Sequence, residues 1–432
     1  VIPLAAEEFA ARMASLGPFE ARPKLAVAVS GGADSLALAL LAEQWARARG
    51  GDALGLIVDH GLRAGSAAEA AATLERLGAA GIVAHVLTLT GLARGPALAA
   101  RARAARHHAL AAACADGGRL HLLFGHHARD QAETLAMRML SGSGPAGLAC
   151  MPALTETAGV RLLRPLLAVP PGRLRATVAA RGLAWVEDPS NADPAAQRAR
   201  LRAARADHDG DGPLTRAAVR AAACRGAARA AADHSVAAVL ARRVSVAAQG
   251  FAVMTPGALP AAALAALLRV LGGADWPPPA AAVAALAASP RAGTLGGVRV
   301  LPAGRVAPGG WLLVREAAAM APPVAARPGV AWDGRFRLQI EGTAATGATL
   351  GALGSDAARF RGSLGLPTAV LRTLPAVRAG DDLVAVPHLG YRRTLLATHY
   401  RAVFAAGVGL APAAFCADGG EGRLAWFPSP AA

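Results

Sequence analysis

Through its first two hundred residues the chain alternates short apolar runs with longer stretches rich in Ala and Leu. The apolar runs are KLAVAV (24–29), ALGLIVDHG (53–61), IVAHVLTL (82–89) and RLHLLFGHH (119–127), and the helix-like stretches lie at 34–49, 66–79 and 97–115. Continuous apolar strands separated by helical segments predict a parallel sheet with helices on both faces, right-handed crossovers, and ligands at the carboxyl ends of the strands. A strand at 160–167 and a helix from Pro171 to Arg181 continue the rhythm, so an α/β domain is expected over 1–206.

Beyond it the pattern changes. DHDGDGP (207–213) is polar and broken by glycine, 214–243 reads as a basic helix, and short helices with a hairpin around 296–316 predict a helical, mixed second domain over 207–318. A Pro/Ala stretch, 317–329, then leads to WDGRFRLQIEG and DDLVAVPHLGYRR, which predict a small α+β third domain over 330–432. Trp332, Phe336 and Tyr391 there stand close to arginines; such rings either stack on bases or fill a core.

Composition adds charge to this outline. The formal net charge is +16, and a single lysine, Lys24, stands among 45 basic residues. Residues 1–100 carry 8 basic and 9 acidic groups, residues 101–250 carry 21 and 11, and residues 251–432 carry 16 and 9. A field concentrated after residue 100 suits a polyanion such as RNA. Four cysteines without a CxxC pair predict neither a disulfide framework nor a zinc or iron–sulfur centre, and fit a reducing cytoplasm. The uncharged stretch 244–268 is cut by Gly250, Pro256, Gly257 and Pro260, so no membrane span is expected, and VIPLAAEEFA lacks the pattern of a signal peptide.

The chemistry starts at SGGADS (30–35), between the first strand and its helix. Glycines that let an anion approach, closely spaced backbone N–H groups and the positive end of a helix dipole make this a phosphate site. Gly31 and Gly32 form the turn, Asp34 and Ser35 sit near the helix start, and the Ser30 and Ser35 hydroxyls are candidate phosphate donors. A Walker A loop is excluded because the only lysine precedes the turn, and GxGxxG is absent there. In HHARDQAET (126–134), Asp130 and Glu133 are three apart and share a helix face, placed either to hold Mg²⁺ or to bind and deprotonate an ammonium group. SGSGPAG (141–147) serves either close approach to a ligand or a helix C-cap.

SGGADS resembles the SGGxDS motif of the PP-loop ATP pyrophosphatases, which cleave ATP between the α- and β-phosphates. Together with VDHGLRAGSAAEA (58–70), GHHARDQAETLAMRMLSGSGPAGLACM (125–151) and WVEDPSNADPAAQRARLRAAR (185–205), it is similar in order and spacing to the tRNA(Ile)-lysidine synthetase family over residues 24–205. The resemblance implies ATP-dependent joining of free L-lysine to C2 of the wobble cytidine of an isoleucine tRNA (CAU anticodon) through an adenylated cytidine, with ATP and Mg²⁺ required. It implies ATP at Ser30, Gly31, Gly32, Asp34, Ser35 and His126, and Mg²⁺ at Asp34 and Asp130. Catalysis falls to Asp34, Arg106, Asp130 and Glu133, while His127 orients its turn. RNA or substrate contacts fall to Arg103, Arg106, Asp188, Asn191, Arg198 and Arg202, with Ser190 in the same DPSN turn. Arg103 and Arg106 come from RARAARHHAL (101–110), similar to the family's ARxxRY segment. The sequence departs from the family at Arg129, Ala199 and His107, where Asp or Asn, Asn, and Tyr are usual. A thiolase of the same superfamily and a catalytically silent RNA-binding relative are the alternatives.

Overall fold

The computed structural model describes residues 1–416 other than 63–64, 92–94, 96, 158, 187–196, 206, 394–397, 408 and 412–414. Asp188, Ser190 and Asn191 therefore lie outside the described residues. Contacts group the chain into two compact units, one from Val1 to Ala232 that also takes in Phe415 and Cys416, the other from Asp233 to Pro412.

In the first unit the order is α1 (Ala6–Ala14), β1 (Lys24–Val29), α2 (Ala33–Arg47), β2 (Asp52–Asp59), α3 (Ser66–Ala79), β3 (Ala84–Thr88), α4 (Leu98–Asp116), β4 (His121–Leu123), α5 (Ala128–Leu140), α6 (Pro145–Leu148), β5 (Leu154–Glu156), β6 (Arg161–Leu163), α7 (Pro171–Ala179) and α8 (Gln197–Arg205). The sheet runs β3-β2-β1-β4-β6-β5, parallel except for β5, which returns antiparallel along β6. β1 is buried from Leu25 onward because helices cover both faces: Leu25, Val27 and Val29 pack with Leu36, Leu40 and Leu174, while Ala26 and Ala28 pack with Leu54, Leu110 and Cys114. Each fully buried Leu or Val adds about 1.5–3 kcal/mol, so the central strand is also the most strongly held. The strand expected at 119–127 stops at Leu123, because Gly125 must pass the α2 backbone closely; a Cβ there would lie 3.1 Å from the Asp34 carbonyl oxygen.

A 31-residue helix, α9 (Pro213–Arg243), follows. Its start is organised by Asp207, whose Oδ2 accepts from the Gly212 N–H (3.0 Å) and the Thr215 hydroxyl (2.6 Å).

The second unit contains an antiparallel five-stranded sheet over 244–315, packed by helices Ala261–Leu271 and Ala280–Ala288, and further antiparallel strands from Val324 to Phe404. The sequence divides this region at 317–329, yet both sides share one core: Phe251, Leu312 and Val314 pack with Leu353, Val370, Leu371 and Leu374. A buried ion cluster crosses the same stretch, with Asp333 accepting from Arg315 Nε (3.1 Å) and Arg335 Nε (2.8 Å). The proline-rich stretch is therefore no boundary between independent cores. Trp332 and Phe336 are each 1% exposed and pack in a second core with Leu338, Leu350 and Val377, and Tyr391 is half-buried. Among the described residues no helix is long and apolar enough to cross a membrane.

Candidate functional site

From β1 the strand order steps outward to β2 and β3, and from β4 outward to β6. Loops leaving β1 and β4 therefore diverge, opening a crevice at the carboxyl edge of the sheet. Ser30-Gly31-Gly32 leaves β1 there, and Phe124 to His127 leaves β4.

The turn is built to stay open. Gly31 has φ +84°, and a Cβ on it would lie 2.5 Å from Thr73 Oγ1, which is itself fixed by donating to the Glu69 carbonyl (2.8 Å). Ser35 is buried and its hydroxyl looks inward, accepting from the Ser30 N–H (3.1 Å) and donating to the Gly32 carbonyl (3.0 Å). It thus shapes the turn, and Ser30, which is exposed with Oγ 3.2 Å from Ser35 Oγ, is the hydroxyl at the surface. Gly32 caps α2 without a side chain, leaving first-turn N–H groups for a ligand.

Two cavities share Ser30, Gly32, Asp34, His60 and Arg106. One, about 680 Å³, is walled by Arg103, Arg106 and His107 of α4 and by Phe124, Gly125 and His126. Its polar atoms are short of partners: Arg106 Nε, His60 Nδ1 and His126 Nδ1 are buried without a hydrogen bond. Burial pushes the Arg106 guanidinium down, with Arg103 adding repulsion, and pushes His126 down to about 4 despite the pull of Asp130. Unsatisfied donors and repelling cations are what a polyanion would relieve. His107, placed where the family has tyrosine, lies against Phe124 with ring centroids 5.3 Å apart.

The other cavity, about 620 Å³, is lined by Glu69 and Thr73 of α3, Arg129 and Asp130 of α5, and Arg198 and Arg202 of α8. At its floor His127 caps α5, its Nδ1 accepting from the Asp130 N–H (3.4 Å) while Asp130 Oδ2 accepts from the His127 N–H (3.1 Å). His127 Nε2 lies 3.4 Å from Asp34 Oδ2, so one imidazole joins the two carboxylates. Burial opposes charge on His127, but Asp130 and Asp34 outweigh it and its pKa is raised. Burial likewise opposes charge on Asp130, and His127, His126 and Arg202 hold its carboxyl below the usual range.

Glu133 is 0% exposed and bound by two prongs of Arg202, Nε to Oε1 at 2.6 Å and Nη2 to Oε2 at 3.2 Å. Arg202 also reaches Asp130 (3.6 Å), and Arg129 Nε stands 3.9 Å from Glu133. The two carboxylates keep their common face, which an arginine of α8 occupies. Two carboxylates near a phosphate turn match the usual way Mg²⁺ is held, with phosphate oxygens and water completing its shell. Among the described residues no group of three or more His, Cys, Asp or Glu forms a metal cage.

SGSGPAG lines neither cavity: Ser141 ends α5 and Gly142 turns the chain at φ +66°, the C-cap alternative. The structure adds His60, Thr73 and Arg164 to the site's surroundings. Thr73 has no motif to flag it, and His60 is the histidine of VDHGLR, a stretch within the 58–70 resemblance.

The PP-loop domain family matches residues 5–207. The tRNA(Ile)-lysidine synthase of Rhodopseudomonas palustris is 46% identical over 211 residues, covering 47% of this chain and 61% of that protein. That of Mesorhizobium japonicum is 37% identical over 351 residues, covering 77% of this chain and 76% of the relative. The chain belongs to the tRNA(Ile)-lysidine synthase family. It spans 61%, 52% and 55% of the lengths of three members of that family that it matches. A solved structure, the U34-tRNA thiolase NcsA from Methanococcus maripaludis with its [4Fe-4S] cluster, overlaps at a TM-score of 0.41 and 18% identity, covering 50% of this chain and 77% of that one. Family membership accounts for the parallel-sheet PP-loop fold and for ATP use.

Proposed function

We propose that this chain joins free L-lysine to C2 of the wobble cytidine of isoleucine tRNA bearing a CAU anticodon, converting ATP to AMP and pyrophosphate. The observation that carries this reading is a pair of unlike cavities meeting at one glycine turn. The cationic cavity suits a triphosphate. The other sets carboxylates on Asp34, Glu69 and Asp130 among guanidiniums on Arg106, Arg129, Arg198 and Arg202, a mixed lining that suits a zwitterion with a second ammonium group.

The cytidine O2 attacks the α-phosphorus and pyrophosphate leaves into the cluster of Arg103, Arg106 and His126. The lysine ε-ammonium, held against the carboxylates of the second cavity, gives up its proton to water, and the free amine attacks C2 as the C2–O2 bond breaks and AMP departs with that oxygen. Ser30, Gly31, Gly32 and Ser35 hold the phosphate turn, and Glu133 contributes by fixing Arg202. Mg²⁺, bound by Asp34 and Asp130, would neutralise phosphate charge. Arg198 and Arg202 of α8, with Asp188 and Asn191 of the DPSN motif, contact the RNA. The reaction takes place in the cytoplasm. Sulfur transfer is the poorer reading, since Cys114 is buried with its thiol pushed up to about 11, and Cys150 is buried and raised as well.

Labelled lysine incubated with the protein, ATP and isoleucine tRNA is expected to become acid-stable label on the RNA, with one pyrophosphate released per lysine. Folded protein that releases no pyrophosphate in the presence of tRNA would point to the silent relative instead.

A further inference from the structure

Arg164 follows β6 directly, at the same carboxyl edge of the sheet as the glycine turn. It is 9% exposed, and its orientation is set from the edge strand: Nη1 donates to the Pro152 carbonyl (2.9 Å) and the Thr155 hydroxyl (3.2 Å). Its Nε is buried without a partner, and it makes no ion pair with a described carboxylate. The guanidinium carbon stands 5.9 Å from the centre of the Phe124 ring, which walls the cationic cavity and lies 5.9 Å from His126.

A buried guanidinium that no described carboxylate neutralises is costly. Burial and the repulsion of Arg103 bring Arg164 down to about 10, which leaves it charged at neutral pH. The same charge is felt at His126 and His107 across the Phe124 wall. Arg103 and Arg106, which line the cavity, likewise form no ion pair with a described carboxylate.

We infer that Arg164 is a positioning residue for the polyphosphate end of the nucleotide: a fixed cation behind Phe124 that acts on the anion through the cavity wall. The inference rests on the reading of this cavity as the phosphate site. A charge locked in place before the ligand arrives needs no reorganisation when it binds, which is how preorganised groups favour developing or incoming charge. Because Arg164 acts on phosphate and is not among the residues lining the lysine cavity, its loss should weaken binding of ATP and pyrophosphate and leave the Michaelis constant for lysine in place.

The test measures inorganic pyrophosphate binding by calorimetry to the full chain and to Arg164→Met, Arg164→Gln and Arg164→Lys, with kinetics in ATP and in lysine for each. Loss of one buried unit charge at an effective dielectric of about 20 is expected to weaken pyrophosphate roughly ten- to thirty-fold in Met and Gln. Lys, which keeps the charge, should stay within about threefold by the same reasoning. The KM for ATP should rise in parallel while the KM for lysine holds. Gln retains an amide donor for the Pro152 carbonyl, so it separates charge from the structural hydrogen bond should Met fail to fold. Wild-type affinity in folded Gln or Met protein overturns the role of Arg164 and leaves the cavity's assignment standing. Failure of the unaltered protein to bind either pyrophosphate or ATP overturns the assignment itself.

Discussion

Replacing Arg202 by Met would strand Glu133. That carboxylate has no solvent access, and both oxygens lose their nearest donors, at 2.6 and 3.2 Å. Breaking one side of a buried pair costs about 3–5 kcal/mol. Two features pull the figure toward the lower end: Arg202 is 24% exposed, and Arg129 remains 3.9 Å from Glu133. We expect about 3 kcal/mol for Arg202→Met. Glu133→Gln should cost less, since Arg202 keeps Asp130 at 3.6 Å and water on its exposed side. In the double variant neither member of the bidentate pair keeps its charge, so the two losses should fall short of their sum by about 2 kcal/mol. Urea unfolding of all four proteins, followed by hydrogen exchange in α5 and α8, supplies the cycle. A coupling below about 0.5 kcal/mol would mean that the contact is incidental, and that Glu133 is free to meet substrate without displacing an arginine.

The other predictions concern the turn, a helix start and the thiols. Gly31→Ala must accept positive φ and a 2.5 Å approach to Thr73 Oγ1, costing roughly 2–4 kcal/mol and most pyrophosphate release; adding Thr73→Ala should recover the steric part, and a double variant as unstable as the summed singles would refute the contact. Asp207 has a lowered pKa because the Thr215 hydroxyl and backbone N–H groups outweigh burial. Its contribution is therefore fully present above the unfolded carboxyl value near pH 4 and fades as pH falls through the folded value; Asp207→Asn should lose this acid sensitivity in pH-dependent melting, together with about 1 kcal/mol at neutral pH. Brief alkylation of native protein should modify exposed Cys224 and spare Cys114 and Cys150 without loss of lysine transfer, as peptide mapping beside the activity assay would show.

The parts of this fold that sequence made legible are those fixed by local rules. Apolar runs at β1 and β2, short and rich in Val and Leu, read as strands covered on both faces, and Ser30 to Ser35 reads as the turn from strand into helix. The shared core of the second unit was hidden, because Leu312 and Leu353 meet across a proline-rich stretch that reads locally as a linker. Arg202 was named as an RNA contact, yet its bond to Glu133 joins residues 69 apart, and in a chain with 44 arginines no single one advertises its partner. Ser35 shows the same limit on a smaller scale, since a hydroxyl's direction depends on which backbone groups the turn leaves unpaired.

Near the C-terminus, Cys416 pairs with Leu154 as an antiparallel bridge, its carbonyl accepting from the Ala153 N–H at 2.8 Å, while Arg229 lies over the Phe415 ring. The outermost strand of the catalytic sheet is thus shielded by chain synthesised some 250 residues later. A fragment cut after the PP-loop region would bare that margin, and the practical cost would be sticking and precipitation of a piece whose two cavities at the glycine turn are otherwise whole. Anyone dissecting the protein for crystallography or ligand screening should carry the returning segment along, or graft it behind a short spacer.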